Sequence, residues 1–307
     1  MPTIEQIAYG GWSRCRKISN GKLDLIVTEE VGPRIIHLAL PGQGNLFCEV
    51  EAHMGNTGSH EWLLYGGHRF WHAPEAQPRT YFPDNAPVKI EEHADFLRVT
   101  QDTETTTGVQ KQLDIAMSDD SPHVKVTHRM TNHNMWAVNL APWALSVMTT
   151  GGVGVIPFPP RGTHPEDLQP ANSLTLWPYT DMSDARWTWG ERYILLRQQP
   201  GAATPQKVGV DVRDNWSAYV VNGQAFVKVF QHQADKPYPD LGASVEIFTN
   251  DFMFELETLG PLTTIEPGES VEHVEDWFVF ADVNAPSNDT EVDAHLLPLA
   301  KQALAAR

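Results

Sequence analysis

Val109-Gln110-Lys111-Gln112-Leu113-Asp114-Ile115-Ala116-Met117 and, one turn later, His123-Val124-Lys125-Val126-Thr127-His128-Arg129-Met130-Thr131 decide the fold class. In the first run Val109, Lys111, Leu113, Ile115 and Met117 share one side of an extended chain. In the second, Val124, Val126, His128 and Met130 share one side, opposite Lys125, Thr127 and Arg129. A period of two is the mark of a β-strand half buried in a sheet. Working outward, β-branched and aromatic runs bounded by Gly, Pro, Asn and Asp predict further strands over 23–27, 34–40, 46–50, 96–101, 138–148, 193–197, 207–212, 218–221, 225–231, 243–249, 252–258 and 271–280. One twisted open sheet does not comfortably hold so many strands. The expectation is therefore an all-β sandwich of two large antiparallel sheets packed face to face. Helix is scarce: Val292, Leu296, Leu299 and Ala303 recur near helical spacing, giving a short C-terminal helix over about 290–307 that Pro298 should bend or split.

The chain has 307 residues, 41% hydrophobic and 20% charged, which describes a folded globular protein and rules out disorder and fibre repeats. No Ser/Gly linker, charge block or low-complexity stretch divides it, so a single domain over 1–307 is expected. With 22 Lys plus Arg against 39 Asp plus Glu, the formal charge of -17 repels polyanions. Nucleic acid and anionic membrane surfaces are excluded as partners, and a small, mostly neutral ligand is favoured; no feature sets an oligomeric state. There is no apolar run of about 18 residues and no signal-peptide pattern at the N-terminus, so a cytoplasmic location is expected. Cys15 and Cys48 lack metal-type spacing and read as buried small hydrophobes. The acidic excess is concentrated: from Asp235 to Asp293 there are fifteen acidic residues and one basic, Lys236.

Three segments, 51–86, 151–192 and 231–242, break the strand rhythm, and the first two are long and rich in aromatics, Gly and Pro. Such structured loops commonly wall a functional cleft. The first contains Gly66-Gly67-His68-Arg69-Phe70-Trp71-His72-Ala73-Pro74-Glu75 and, a little later, Arg79 and Tyr81. Aromatic faces for C–H groups beside charged side chains for hydroxyls are what a sugar site requires. Arg69, Trp71, Glu75, Arg79 and Tyr81 are thus candidate binding residues. A metal held by His68, His72 and Glu75 is disfavoured, because Gly66, Gly67 and Pro74 oppose the helix that His-x3-His spacing would need; no metal and no cofactor is expected. Arg34 shares a strand face with Ile36 and is a candidate inward cation. On the 138–148 strand Asn139 and Trp143 share a face and could look into the cleft together. On the 252–258 strand Glu255 and Glu257 share a face opposite Phe254 and Leu256, with Glu246 on the partner strand. Such a face commonly stands in water; if instead it lines the cleft, mutual charge and partial burial raise at least one of these pKa values, the condition for general acid or base work. Glu266, Glu269, Glu272, Glu275 and Asp276 read as solubilising surface.

The order of these motifs resembles a bacterial family within the galactose mutarotase-like superfamily, which includes the aldose 1-epimerases. The resemblance spans roughly residues 10–280 and rests on Val31-Gly32-Pro33-Arg34-Ile35-Ile36, the 66–75 run, Trp177-Pro178-Tyr179-Thr180-Asp181-Met182 and Glu255-Leu256-Glu257-Thr258-Leu259-Gly260-Pro261. It implies a β-supersandwich, a carbohydrate ligand and mutarotation at the anomeric centre of an aldose. Glu257 matches the epimerases' catalytic base. Their general-acid histidine has no counterpart after Asn139-Leu140, where Ala141-Pro142-Trp143 follows, so His68 or His72 is the expected acid, with Arg34 or Arg69 orienting hydroxyls. The same superfamily fold also carries glycoside hydrolases and lyases, in which Glu75 or Glu255 would pair with Glu257, and noncatalytic sugar-binding modules.

Overall fold

In the computed structural model, which describes residues 1–159 and 161–307, the period-two runs pair into two antiparallel sheets. Strands are numbered along the chain. The first sheet runs, in spatial order, β1 (Thr3–Tyr9), β2 (Trp12–Ser19), β3 (Asp24–Thr28), β4 (Arg34–Ala39), β5 (Gly67–Ala73), β10 (Val138–Met148), β19 (Phe254–Leu259), β18 (Val245–Thr249), β15 (Gln206–Val210) and β12 (Leu174–Leu176), with β20 (Thr263–Ile265) beside β10. The second runs β13 (Trp187–Trp189), β14 (Tyr193–Arg197), β11 (Val153–Pro157), β16 (Trp216–Val221), β17 (Gln224–Val229), β21 (Ser270–Ala281), β9 (His123–Asn132), β8 (Val109–Met117), β7 (Leu97–Thr100) and β6 (Lys89–Glu92). The opening stretch is the β8–β9 hairpin, paired from Val109↔Asn132 to Met117↔Val124.

The inner faces meet in one apolar core. Leu25, Val27, Ile35, Phe70, Met148 and Leu256 from the first sheet pack with Leu113, Val126, Met130, Phe226 and Val279 from the second. Behind the second sheet lies the C-terminal helical segment, whose Val292, Leu296, Ala300 and Ala303 cover Val155, Ala218, Val227 and Phe278. Pro298 sits in the first turn of the last helix, Leu297–Ala305, just after a π-helical turn over Val292–Leu296. Helical turns run through Pro298 without a break, and the wider π-turn just before it is where the missing N–H is accommodated. Among the described residues no helix is long and apolar enough to cross a membrane.

The segments expected to be loops hold strands. β5 lies within 51–86, and β11, β12 and β13 lie within 151–192, because their glycines and prolines mask short buried runs. The expected 46–50 strand is instead a pair of isolated bridges, Phe47↔Met148 and Glu49↔Gly66. The outer strands β1 and β2 escape a period-two reading because their apolar residues recur at intervals of three, Ile4 and Ile7 on one and Trp12, Cys15 and Ile18 on the other.

The carboxylates Glu275 and Asp276 are not surface groups, which corrects the reading above. Both are buried on β21 and point to opposite faces of the second sheet, Glu275 into the core and Asp276 toward Arg307, whose Nε lies 3.5 Å from Asp276 Oδ2. Lys228 Nζ donates to Glu275 Oε1 at 2.8 Å and to Leu256 O at 3.0 Å, Trp277 Nε1 donates to Glu275 Oε2 at 2.7 Å, and Thr258 donates to Oε1 as well. Asp276 Oδ1 lies 2.8 Å from His123 Nε2. A buried ion pair of this kind stands only because its remaining hydrogen-bonding positions are filled. Three histidines extend the cluster: His68 Nε2 meets His128 Nε2 at 2.7 Å, His128 Nδ1 meets His273 O at 2.9 Å, and His273 Nε2 meets Thr258 Oγ1 at 2.7 Å.

Burial holds these imidazoles neutral, with His68 well below 6.5, His128 down to about 4 and His273 to about 3. Burial alone would raise Glu275, but Lys228 and the neighbouring histidines overrule it and bring it down to about 2. On acidification below 6.5 the unfolded chain takes up protons that the folded histidines refuse, so stability falls. Glu275 adds a second loss as pH drops from 4.5 toward 2. The urea midpoint is therefore expected to decline steadily between pH 7.5 and pH 5, and His128→Gln should flatten that decline. A midpoint that is constant over the same range contradicts this account of the core.

Candidate functional site

The outer face of the first sheet, away from the core, carries the site, and the strand register lays it out in rows. Trp71, Trp143 and Leu259 face one another across β5, β10 and β19. One row along come Arg69, Leu145, Glu257 and Glu246, and in the next Gly67, Val147, Glu255, Phe248 and Lys207. Because side chains on a strand alternate, all of these project from the same side. Phe254 and Leu256 project the other way into the core, as the alternation on 252–258 predicts.

Over these rows opens a cleft of about 490 Å³. The 51–86 segment walls it with Trp62, Leu64, Glu75 and Tyr81, and the 151–192 segment with Trp177 and Tyr179. Among the described residues, 231–242 does not line it. The turn between β18 and β19 closes one end with Asn250, Phe252 and Met253. Aromatic rings crowd the opposite end: Trp71 lies 5.3 Å from Trp62, 5.0 Å from Tyr81 and 5.4 Å from Trp143 between ring centres. A hollow of similar size beside Met1 and the 92–97 turn has a single aromatic carbocycle, Phe96, and lacks such a wall.

Two buried cations cross the floor. Arg69 Nη2 donates to Glu255 Oε1 at 2.8 Å, and the guanidinium stacks 4.4 Å above Trp71 and 5.5 Å from Trp62. Lys207 Nζ stands 2.7 Å from Glu246 Oε2, 3.1 Å from Glu257 Oε2 and 3.2 Å from Glu257 Oε1, with Trp143 and Trp177 at 4.9 and 4.7 Å. Trp143 Nε1 donates to Glu257 Oε2 at 2.7 Å. Burial raises the carboxyls of Glu246 and Glu257, Glu246 the more strongly. Burial alone would lower Lys207, but the two carboxyls outweigh it and hold its ammonium well above the usual lysine value. Lys207 is a fixed positive charge rather than a proton donor.

The expected residues divide. Arg69, Trp71, Glu75, Tyr81, Trp143 and Glu255 line the cleft, with Tyr81 donating to the Glu75 carboxylate at its rim. Glu246 and Glu257 lie in the floor beneath Lys207 and are wholly buried. His68 and His72 are corrections. The run Gly67–Ala73 is a strand, so His68, Phe70 and His72 point into the core while Arg69 and Trp71 point into the cleft. His68 Nδ1 meets Ser146 Oγ at 2.9 Å, and burial drives His72 down to about 2 beside Lys111 of the second sheet. Neither can donate a proton to a ligand in the cleft.

Arg34 sits beside Arg69 in register, but its guanidinium is committed to Gly66 O and Asp84 Oδ2, each at 2.5 Å, beneath Tyr65. Arg79 bonds Pro74 O and Asn139 Nδ2 bonds Thr264 Oγ1, and both line a separate hollow beside Trp136. The paired glycines have a structural cause as well: a Cβ on Gly66 would meet Cys48 O at 2.0 Å and one on Gly67 would meet Ile35 O at 2.4 Å.

The metal arrangement His68, His72 and Glu75 is split between core and rim. The described residues hold one other group of metal-type donors, His68, His128 and Glu275, whose ligating atoms lie within 4.8 Å of one another. There the two imidazole nitrogens are already hydrogen-bonded to each other, and the Lys228 ammonium already neutralises Glu275. Sequence reasoning missed Lys207, Trp62, Trp177 and Tyr179. The alternation Lys207-Val208-Gly209-Val210, with Val208 and Val210 in the core, was the available signal for Lys207.

The sequence matches no protein-family model and no curated protein. Its backbone is similar to solved structures. A candidate aldose 1-epimerase from Klebsiella pneumoniae aligns over 97% of this chain and 87% of its own, with a TM-score of 0.61 at 13% identity. A galactose mutarotase-like protein from Lactobacillus casei aligns over 87% of this chain and 100% of its own, with a TM-score of 0.58 at 10% identity. A galactose mutarotase related enzyme from Lactobacillus acidophilus aligns over 89% and 99%, with a TM-score of 0.55 at 9% identity. At such identities the likeness shows the fold, a galactose mutarotase-like sandwich.

Removing the floor's cation should expose how tightly it is balanced. Lys207→Met leaves Glu246 and Glu257 buried without a counter-ion and is expected to cost about 3–5 kcal/mol in denaturant unfolding. Lys207→Met combined with Glu257→Gln should recover part of that loss. A single-variant cost below about 1 kcal/mol, the range of a surface pair, contradicts the assignment.

Proposed function

We propose that the cleft is a carbohydrate-binding site that takes one neutral sugar ring against Trp62, Trp71 and Trp143. One observation carries this reading: an aromatic wall and the Arg69–Glu255 pair share a single cavity. A pyranose offers an apolar C–H face to the rings and a rim of hydroxyls to charged groups, so it meets both features at once. The cations favour no phosphate, because Arg69 is matched by Glu255, and Lys207 by Glu246 and Glu257.

A second reading, isomerisation at the anomeric carbon, is favoured by a carboxylate lining the cleft and by the mutarotase-like neighbours of the same fold. Among the described residues no histidine lines the cleft, and both oxygens of Glu257 are engaged by Lys207, one of them also by Trp143. In this reading Glu255 takes the proton of the anomeric hydroxyl while Glu257 holds Lys207 in place. Tyr179, which burial keeps protonated, is the neutral O–H donor for the ring oxygen, since Tyr81 gives its proton to Glu75.

Calorimetric titration with glucose, galactose, mannose and xylose tests the binding reading. At least one should bind, and Trp71→Ala should weaken it by about tenfold, roughly 1.4 kcal/mol. Unchanged affinity in Trp71→Ala contradicts it. For turnover, exchange NMR should show faster anomer interconversion with the protein, lost in Glu255→Gln; acceleration that survives this substitution sinks the second reading.

A further inference from the structure

The cleft has two chemically different ends. At one end Trp71, Trp143 and Leu259 form an apolar cluster with Trp62 and Tyr81 packed against it. At the other, Met253 and Val147 form a separate cluster with Leu64 and Phe248 against it, and Phe252 stands at the lip, 41% exposed. The ionic belt of Arg69, Glu255 and Lys207 begins beside the tryptophan end and reaches the second: Arg69 stands one row beyond Trp71, and Glu255 and Lys207 share the next row with Val147 and Phe248, leaving Leu64, Phe252 and Met253 beyond them.

We infer that the ligand is a sugar carrying an apolar substituent, with the ring on the tryptophan end and the substituent over Leu64, Phe248, Phe252 and Met253. This rests on the carbohydrate reading of the same cleft. Three observations support it. The cavity, about 490 Å³, is continuous across the belt and falls within the range of roughly 300–1,000 Å³ for sites that hold drug-sized ligands, more than one pyranose fills. The second end offers few groups to a hydroxyl: Leu64, Phe248, Phe252 and Met253 carry none, Asn250 spends its Oδ1 on the N–H groups of Phe252 and Met253, both at 3.0 Å, and only its Nδ2 and the Tyr179 hydroxyl beside Phe248 remain. A second sugar ring there would leave hydroxyls desolvated and unpaired, whereas an aryl or alkyl group gains from leaving water. The second end also lies beside the belt that would hold the first ring's hydroxyls, so one molecule can span both.

Methyl and phenyl β-glycosides of glucose, galactose, mannose and xylose, titrated calorimetrically, test the inference. For the sugar that binds, the phenyl glycoside should bind about tenfold more tightly than the methyl. Phe252→Ser, at an exposed position that the fold does not need, should bring that ratio toward one. Leu64→Gln gives an independent second variant. Equal affinity for the two glycosides, or a preference that survives both substitutions, overturns the inference and leaves the carbohydrate reading standing. Binding of no glycoside at all overturns both.

Discussion

A single ammonium fixes the floor of this sheet. Lys207 projects from β15 between Glu246 on β18 and Glu257 on β19, all three wholly or almost wholly out of water. Two adjacent carboxylates on neighbouring strands repel, and burial makes each charge more costly still. Their presence side by side is tolerable only because the lysine lies between them and Trp143 Nε1 supplies another hydrogen bond. Trp143 in turn packs edge-on against Trp71, and Arg69 stacks on Trp71 while pairing with Glu255. Charge balance and aromatic packing are thus one construction.

The same strands serve two opposite chemistries. On β5 one side gives Phe70 to the core and His68 to the buried imidazole cluster, and the other gives Arg69 and Trp71 to the cleft. β19 does likewise, with Leu256 inward and Glu255 and Glu257 outward. Both faces of each strand are buried, so the alternation there separates core from cleft rather than core from water. Lys228 Nζ reaches the carbonyl of Leu256 from the second sheet, tying the core's ion pair to the strand that carries the cleft's carboxylates.

This double burial explains what the sequence discloses. The fold class was legible because strands such as β8 alternate cleanly between core and water. The side of β19 that bears Glu255 and Glu257 was legible because acidic and apolar residues alternate along it, although both its faces are buried. β5 was not: Gly66 and Gly67 before it and Pro74 after it read as loop, and without a strand there was no rule to separate His68 and His72 from Arg69 and Trp71. Glu275 was misread because it belongs to an acidic run, and its partner Lys228 lies 47 positions earlier in the chain. Lys207 was overlooked because a lone lysine in a valine-rich strand is unremarkable until the partner strands are known.

The measurement that bears most directly on the central claim is a two-dimensional NMR spectrum of the indole N–H groups, of which the chain has ten, recorded during titration with a binding sugar. The account predicts that the signals of Trp62, Trp71, Trp143 and Trp177 move, and that Trp12, Trp216 and Trp277, buried elsewhere, stay fixed. Shifts confined to tryptophans outside the cleft would place the ligand on another surface and contradict it.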